Sequence, residues 1–243
     1  MLLYGVHHIV FIVLCAVILA AMIVVFKLVL KTEKSKDLFI RILGVALTLS
    51  VVINRISITV FDNLHIGLLA LIPNTYCGMS NLLLGIVCAV GRRNMRILHF
   101  LVYISLVGGL ACVFYPSFLD QGPTPEAPSF FFHATITGMN HHALAVMVCI
   151  ILIIAKWFEP SFKYSYMFPV GMCAYTVFGL FLIDALHIPE SMNVDVAVIE
   201  GTFLTWWFIL IAGSAALALP TFVYDFTKYY LKKKNAQKAH TEV

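Results

Sequence analysis

The sequence predicts an all-α integral membrane bundle of about seven transmembrane helices, with the N-terminus outside and the C-terminus in the cytoplasm. Three observations support this fold class. Hydrophobic residues make up 61% of the 243 residues, and charged residues make up 12%, about half the share found in soluble domains. The apolar residues fall into seven runs, each long enough for a spanning helix of roughly 20 residues. The basic residues fall between alternate runs.

Each apolar run predicts one span, and mean hydropathy of the chain is +0.96. The predicted spans are Tyr4–Leu30, Leu38–Phe61, Ile66–Val90, Ile97–Tyr115, Phe130–Trp157, Tyr164–Leu186 and Val196–Tyr224. The first run has no basic stretch before it and no small-residue cleavage site, so it is interpreted as a span and not as a signal peptide. We predict one transmembrane domain over residues 1–226 and a basic cytoplasmic tail over residues 227–243. The one long connection, Pro116–Ser129, is rich in proline and is predicted to lie outside the membrane.

The distribution of charge predicts the topology. All lysines and arginines except Arg55 lie in or beside the links after spans 1, 3 and 5 or in the tail. The other links carry acidic residues and no basic one. Because basic links stay in the cytoplasm, the two termini fall on opposite sides and the number of spans is odd. The protein is therefore expected in the cell membrane.

Composition also excludes several classes of function. The net charge of +4 comes from short separate clusters, which is not the continuous basic stripe of a nucleic-acid-binding protein. All six cysteines lie in apolar runs without C-x-x-C spacing, so neither a disulfide framework nor a zinc site is expected. We predict no metal and no cofactor, and membrane lipids as the partners.

Polar residues inside the spans favour the centre and the outer half of the predicted bilayer. Such residues normally face partners or water inside a bundle, so they predict a polar cavity. They are Asn54, Arg55, Asn74, Thr75, Cys77, Asn81, Asn140, His141, His142 and Asp184. Two interpretations of Arg55 stay open: its side chain extends to the outer interface, or it faces inward and binds an anion such as a phosphate or Asp184.

Three features are candidates for chemistry. In Ile72 to Cys77, Pro73 interrupts the span, and the break either lines a cavity or simply kinks a packing helix. Asn140-His141-His142 in span 5 lies about 16–18 Å from the outer surface, close to the depth of Cys77. One of these histidines is either a base for the thiol or a hydrogen-bonded packing residue. Asp184 and His187 either bind a solute or mark the end of span 6.

The order of these features resembles the YwaF-type integral membrane proteins, which include the animal transmembrane protein 164 acyltransferases. That family has a His near the start of span 1 (here His7 or His8) and a Leu-Pro-x-His-x-Cys motif in span 3 (here residues 72–77). It also has a Pro after span 4 and a His-Gly segment in span 5 (here Pro116 and residues 142–144). An aromatic-x-Pro-x-aromatic-Lys turn follows at residues 158–163. Thr75 and Ala143 depart from the family pattern, where His and Gly stand.

The resemblance implies an enzyme that moves a fatty acyl chain between phospholipids. It makes Cys77 the acyl carrier and His142 the base, with His141 as the rival. Arg55 is then a candidate to bind the lipid phosphate, with Asp184 nearby, and Asn74, Thr75 and Asn81 are candidate donors to the oxyanion.

Two other functions remain open at the level of sequence. One is a transporter or solute-binding membrane protein that uses Arg55, Asp184 and His187. The other is a non-catalytic membrane subunit, in which every polar position named above tolerates substitution.

Overall fold

The computed structural model describes residues 4–61, 67–115, 129–198 and 202–241. Within these ranges every regular element is helical, which confirms the all-α prediction. The main helices are α1 (Val6–Val24, continued by a π-helical turn Val25–Val29), α2 (Glu33–Phe61), α3 (Tyr76–Val90), α4 (Met95–Phe114), α5 (His133–Ile154), α6 (Met167–Leu186) and α7 (Trp206–Thr241).

Six of the seven helices are long and apolar enough to cross a bilayer, and α3 is the shorter, seventh apolar helix. Long apolar side chains cover the outside of the bundle, as expected where lipid tails replace water. In α1, for example, Val17 is 60% exposed. The structure therefore supports a multi-pass membrane protein. It leaves the predicted orientation of the termini as a prediction.

The third span differs from the prediction. Ile66–Val90 was expected to form one proline-kinked helix, but the described part is a 3-10 turn at Gly67–Leu71, a non-helical step at residues 72–75, and then α3. Pro73 cannot donate a backbone hydrogen bond, and the residue before a proline disfavours helical angles. The helix is therefore restarted and not merely bent, and its N-terminus lies inside the bundle.

The seventh span also differs in its limits. Helix α7 begins at Trp206, whereas the span was predicted to begin at Val196. The helix continues to Thr241. The predicted boundary between membrane domain and tail, at residue 226, thus lies inside a continuous helix. Ile66, Pro116 and most of the Pro116–Ser129 connection lie outside the described residues.

Helices α2, α3, α4 and α5 form the centre of the bundle. Small residues permit the close packing, as is common between membrane helices. A Cβ on Gly44 of α2 would lie 2.4 Å from the backbone nitrogen of Ala89 in α3, and one on Gly109 of α4 would lie 2.7 Å from Val146 in α5. Helix α1 packs at the edge, while α6 and α7 pack against each other on the side of α4.

The link between α5 and α6 is tied to two other helices. The backbone N–H of Ser161 donates to Nε2 of His99 in α4 at 3.0 Å, and the Ser161 hydroxyl donates to Asp225 in α7 at 3.0 Å. In the same link, a hydrogen bond from Lys228 lowers the pKa of the Glu159 carboxyl. These contacts fix the end of the bundle that is predicted to be cytoplasmic.

Candidate active site

The break in the third span places Cys77 at the second position of α3. Thr75 is the N-cap: its hydroxyl accepts a hydrogen bond from the Gly78 N–H at 3.2 Å, and its carbonyl accepts one from Met79 N–H at 3.0 Å. The first amides of a helix have no partner within that helix. The N–H groups of Tyr76 and Cys77 are therefore left at the positive end of the α3 dipole, beside the Cys77 thiol.

Arg55 stabilises this break. Its Nε donates to the carbonyl of Ala70 at 2.8 Å, and its Nη2 donates to the carbonyl of Ile72 at 3.1 Å. Both carbonyls lack helical partners because the chain leaves the helix at Pro73. The half-buried guanidinium thus supplies the donors that the interrupted backbone needs.

The connection between α6 and α7 also contacts the break. The N–H of Met192, which is fully buried, donates to the carbonyl of Asn74 at 2.7 Å. Met192 has a positive φ of 52°, an uncommon conformation for a residue with a side chain. The irregular backbone at residues 72–75 is thereby hydrogen-bonded both to α2 and to the connection between α6 and α7.

Helix α5 brings a pair of adjacent histidines to the same region. His141 and His142 are 4% and 3% exposed, and their ring centroids lie 4.2 Å apart. Asn81 of α3 donates through Nδ2 to Nδ1 of His141 at 3.1 Å. Nearer the N-terminal end of α5, Asn54 of α2 donates a hydrogen bond to the hydroxyl of Thr137 at 2.9 Å. These contacts fix the rotation of α5 about its axis.

Cys77, His142 and Cys112 meet at the centre of the bundle. The two sulfurs and one ring nitrogen of His142 all lie within 4.8 Å of one another. His142 and Cys112 are buried, while Cys77 is half-buried. Among the described residues, Nδ1 of His142 has no hydrogen-bond partner. The structure thus places His142 beside Cys77 and pairs His141 with Asn81.

A glycine pair in α4 makes this meeting possible. A Cβ on Gly108 would lie 2.4 Å from Sγ of Cys77, and a Cβ on Gly109 would lie 3.0 Å from the carbonyl of His142. Helix α4 therefore presents bare backbone to α3 on one side and to α5 on the other. Cys112 follows Gly108 by one helical turn and shares its face.

Three residues of this region were not predicted from the sequence: Cys112, Gly108 and Gly109. A usable signal existed, because two adjacent glycines and a cysteine four residues after the first form a small-residue stripe in a predicted span. Such stripes mark close helix approach. The sequence could not show that the stripe faces Cys77.

The other predicted site residues lie apart from this cluster or contribute through their backbone. Asp184 and His187 are exposed at the C-terminal end of α6, whereas Arg55 is hydrogen-bonded at the break. Asn74 contributes its carbonyl to Met192. His8, in α1, has Nε2 2.7 Å from the carbonyl of Val113, next to Cys112. His8 therefore holds the start of α1 against the end of α4.

Comparison with known proteins identifies the family. The model of the TMEM164 family matches residues 3–226, which is nearly the whole chain. The chain belongs to the TMEM164 family. Neither a curated protein nor a solved structure matches it. Membership in the TMEM164 family agrees with the expected resemblance and with the helical membrane fold.

Proposed function

We propose that this protein is a membrane-embedded acyltransferase, which moves a fatty acyl chain between phospholipids through a thioester on Cys77. The single observation that carries the proposal is the distance between the Cys77 sulfur and a His142 ring nitrogen, which is within 4.8 Å across two helices. Catalytic hydrogen bonds are often longer without substrate than with it. Membership in the TMEM164 family supports the same chemistry.

The first half-reaction cleaves the donor lipid. His142 takes the proton from the Cys77 thiol, and the thiolate attacks the carbonyl carbon of a phospholipid ester. The carbon–oxygen bond then breaks. His142 returns the proton to the departing lysophospholipid oxygen, which leaves the acyl group on Cys77 as a thioester.

The second half-reaction loads the acceptor. His142 removes a proton from the hydroxyl group of a lysophospholipid, whose oxygen attacks the thioester carbonyl. The carbon–sulfur bond breaks, and the Cys77 thiolate regains a proton from His142. The first half-reaction passes the Cys77 thiol proton to the departing lysophospholipid, and the second returns a proton from the acceptor hydroxyl to Cys77. The complete cycle therefore leaves the protein's proton count unchanged.

The N-terminus of α3 supports both steps electrostatically. A helix N-terminus favours a thiolate over a thiol, and Cys77 is the second residue of α3. In the tetrahedral intermediate, the amides of Tyr76 and Cys77 are the candidate donors to the oxyanion. The Thr75 hydroxyl is used as the helix cap, so backbone groups take the role that the sequence analysis gave to side chains.

The test uses the full-length protein in lipid nanodiscs. A phospholipid with a labelled acyl chain is the donor and an unlabelled lysophospholipid is the acceptor. We expect Cys77→Ala to abolish transfer and His142→Ala to slow it about 10²–10⁴-fold, the usual contribution of a general base. We also expect a hydroxylamine-sensitive acyl label on the Cys77 peptide of the wild type.

Two matched variants control for the substitutions. Cys15→Ser alters another half-buried thiol, and His187→Asn alters an exposed imidazole at a left-handed position that asparagine also tolerates. Both should keep wild-type transfer. An acyl label on a different cysteine, or full transfer by a folded Cys77→Ala protein, would refute the proposal.

A further inference from the structure

We propose that Cys77, Cys112 and His142 also form a binding site for Zn²⁺, and that zinc and the acyl group compete for the Cys77 sulfur. The ion would be held by the two sulfurs and one ring nitrogen of His142. Zinc binding does not depend on the proposed acyl transfer. Only the competition rests on it.

The donor set and its spacing suit zinc. Cysteine sulfur and histidine nitrogen are its preferred ligands, and three protein ligands with an open fourth position are typical of sites that also bind water or a substrate. In a tetrahedral site with zinc–sulfur bonds of about 2.3 Å the ligand atoms lie about 3.5–3.8 Å apart. Because the three atoms already lie within 4.8 Å of one another, an inward shift of about 1 Å suffices.

The charge balance favours zinc in this apolar setting. Binding converts two thiols to thiolates and releases two protons to solvent, so Zn²⁺, two thiolates and a neutral imidazole sum to zero charge. A neutral complex avoids the cost of burying a net charge among membrane helices. A singly charged cation on the same ligands would leave one negative charge uncompensated.

The surroundings favour a bound ligand as well. Nδ1 of His142 is buried without a partner among the described residues. Gly108 keeps a side chain from separating the thiols, because a Cβ there would collide with the Cys77 sulfur.

The direct test measures metal binding to the purified full-length protein in detergent, without any acyl substrate. Co²⁺ serves as the spectroscopic probe for zinc, and tetrahedral thiolate ligation gives an intense near-ultraviolet charge-transfer band. We expect one Co²⁺ per chain, displaced by Zn²⁺. We also expect the affinity to rise about 100-fold per pH unit while both thiols are protonated.

Variants assign the ligands. Cys112→Val keeps an apolar side chain of similar size and should weaken Zn²⁺ binding more than about 100-fold, beyond the 10–100-fold typical of losing an outer-shell group. Cys15→Ser should bind like the wild type. An unchanged charge-transfer band in folded Cys112→Val, or a Co²⁺ spectrum without thiolate bands in the wild type, would overturn the site.

Competition is tested in the acyl-transfer assay. Zn²⁺ should lower the initial rate of the wild type, and it should lower the rate of Cys112→Val far less relative to that variant's own zinc-free rate. Equal inhibition of both proteins would overturn the competition. Metal binding without acyl transfer would refute the proposed enzyme alone, and acyl transfer without the cobalt band would refute the metal site alone.

Discussion

At the scale of single residues, the candidate site depends on two glycines of α4, which have no side chain. Gly108 lies against the Cys77 thiol, and Gly109 lies against the carbonyl of His142. A side chain at Gly108 would collide with the Cys77 sulfur, and one at Gly109 would collide with Val146 and the His142 carbonyl of α5. The two glycines are therefore as important for the cluster as Cys77, Cys112 and His142 themselves.

We predict that Gly108→Ala destabilises the protein by about 1–3 kcal/mol, the usual cost of overpacking a core. The new methyl group would lie 2.4 Å from the Cys77 sulfur but 3.7 Å from its Cβ, so the collision is with the sulfur. The free energy of unfolding can be measured by denaturant titration in detergent micelles.

A double-mutant cycle isolates this contact. In a Cys77→Ala background the colliding sulfur is gone, so Gly108→Ala should cost little additional stability. Equal costs in the two backgrounds would mean that the methyl group collides with something other than the thiol.

Arg55 gives a second prediction at this scale. Lysine keeps the positive charge but has no planar fork to reach two carbonyls together. Because a hydrogen bond from a charged group contributes about 1.5–3 kcal/mol, Arg55→Lys should lower the free energy of unfolding by about that amount. Arg92→Lys, at an exposed arginine, is the control and should change stability little. A stable Arg55→Lys protein would argue against the role in holding the break.

At the scale of elements, the restart of the third span determines what Cys77 can do. A thiol in the middle of a helix would lie beside backbone amides that are already hydrogen-bonded within the helix. A thiol in the first turn lies beside amides that have no partner within the helix. The cap that sets this start is the Thr75 side chain. The family pattern has a histidine at this position. In this chain the residue is Thr75, which caps the start of α3.

Removing the cap should affect both stability and rate. Thr75→Ala is expected to cost about 0.5–2 kcal/mol, as is usual for the loss of an N-cap hydroxyl, and to reduce acyl transfer because the first turn of α3 loosens around Cys77. Thr75→Ser keeps the hydroxyl and should restore both. Unfolding titrations and the nanodisc assay on the same samples check this, and a fully active, fully stable Thr75→Ala protein would contradict it.

At the scale of the whole molecule, the bundle has a closely packed centre and an apolar exterior. Helices α3, α4 and α5 supply the cluster of Cys77, Cys112 and His142, while α1 and the first part of α7 bury very little of their surface. A water-soluble protein could not expose so many large apolar side chains. Lipid is the environment that this surface requires.

The topology can be tested on the intact protein. If the basic links are cytoplasmic, an epitope tag added before Met1 should be cut by protease supplied outside intact cells. A tag added after Val243 should be protected until the membrane is permeabilised. The same accessibility for both tags would disprove an odd number of crossings.

The membrane bundle, the approximate spans and the family could all be predicted from the amino-acid sequence alone. Apolar run length and the position of basic residues act locally, so they can be identified without knowing which helices touch. The sequence also pointed to Cys77 and His142, through their similar depth in the membrane and the family motif. It left His141 as an equal geometric alternative.

Which side chains meet depends on how the helices pack, and the sequence does not show that packing. The closeness of Cys77 to His142 depends on helix rotation and on the glycine pair of α4, neither of which follows from hydropathy. Arg55 looked free to bind a phosphate because its partners, two backbone carbonyls, exist only once the chain breaks at Pro73. Cys112 was not predicted as part of the cluster because a sequence indicates the depth of a residue in the membrane, whereas its neighbours depend on helix packing.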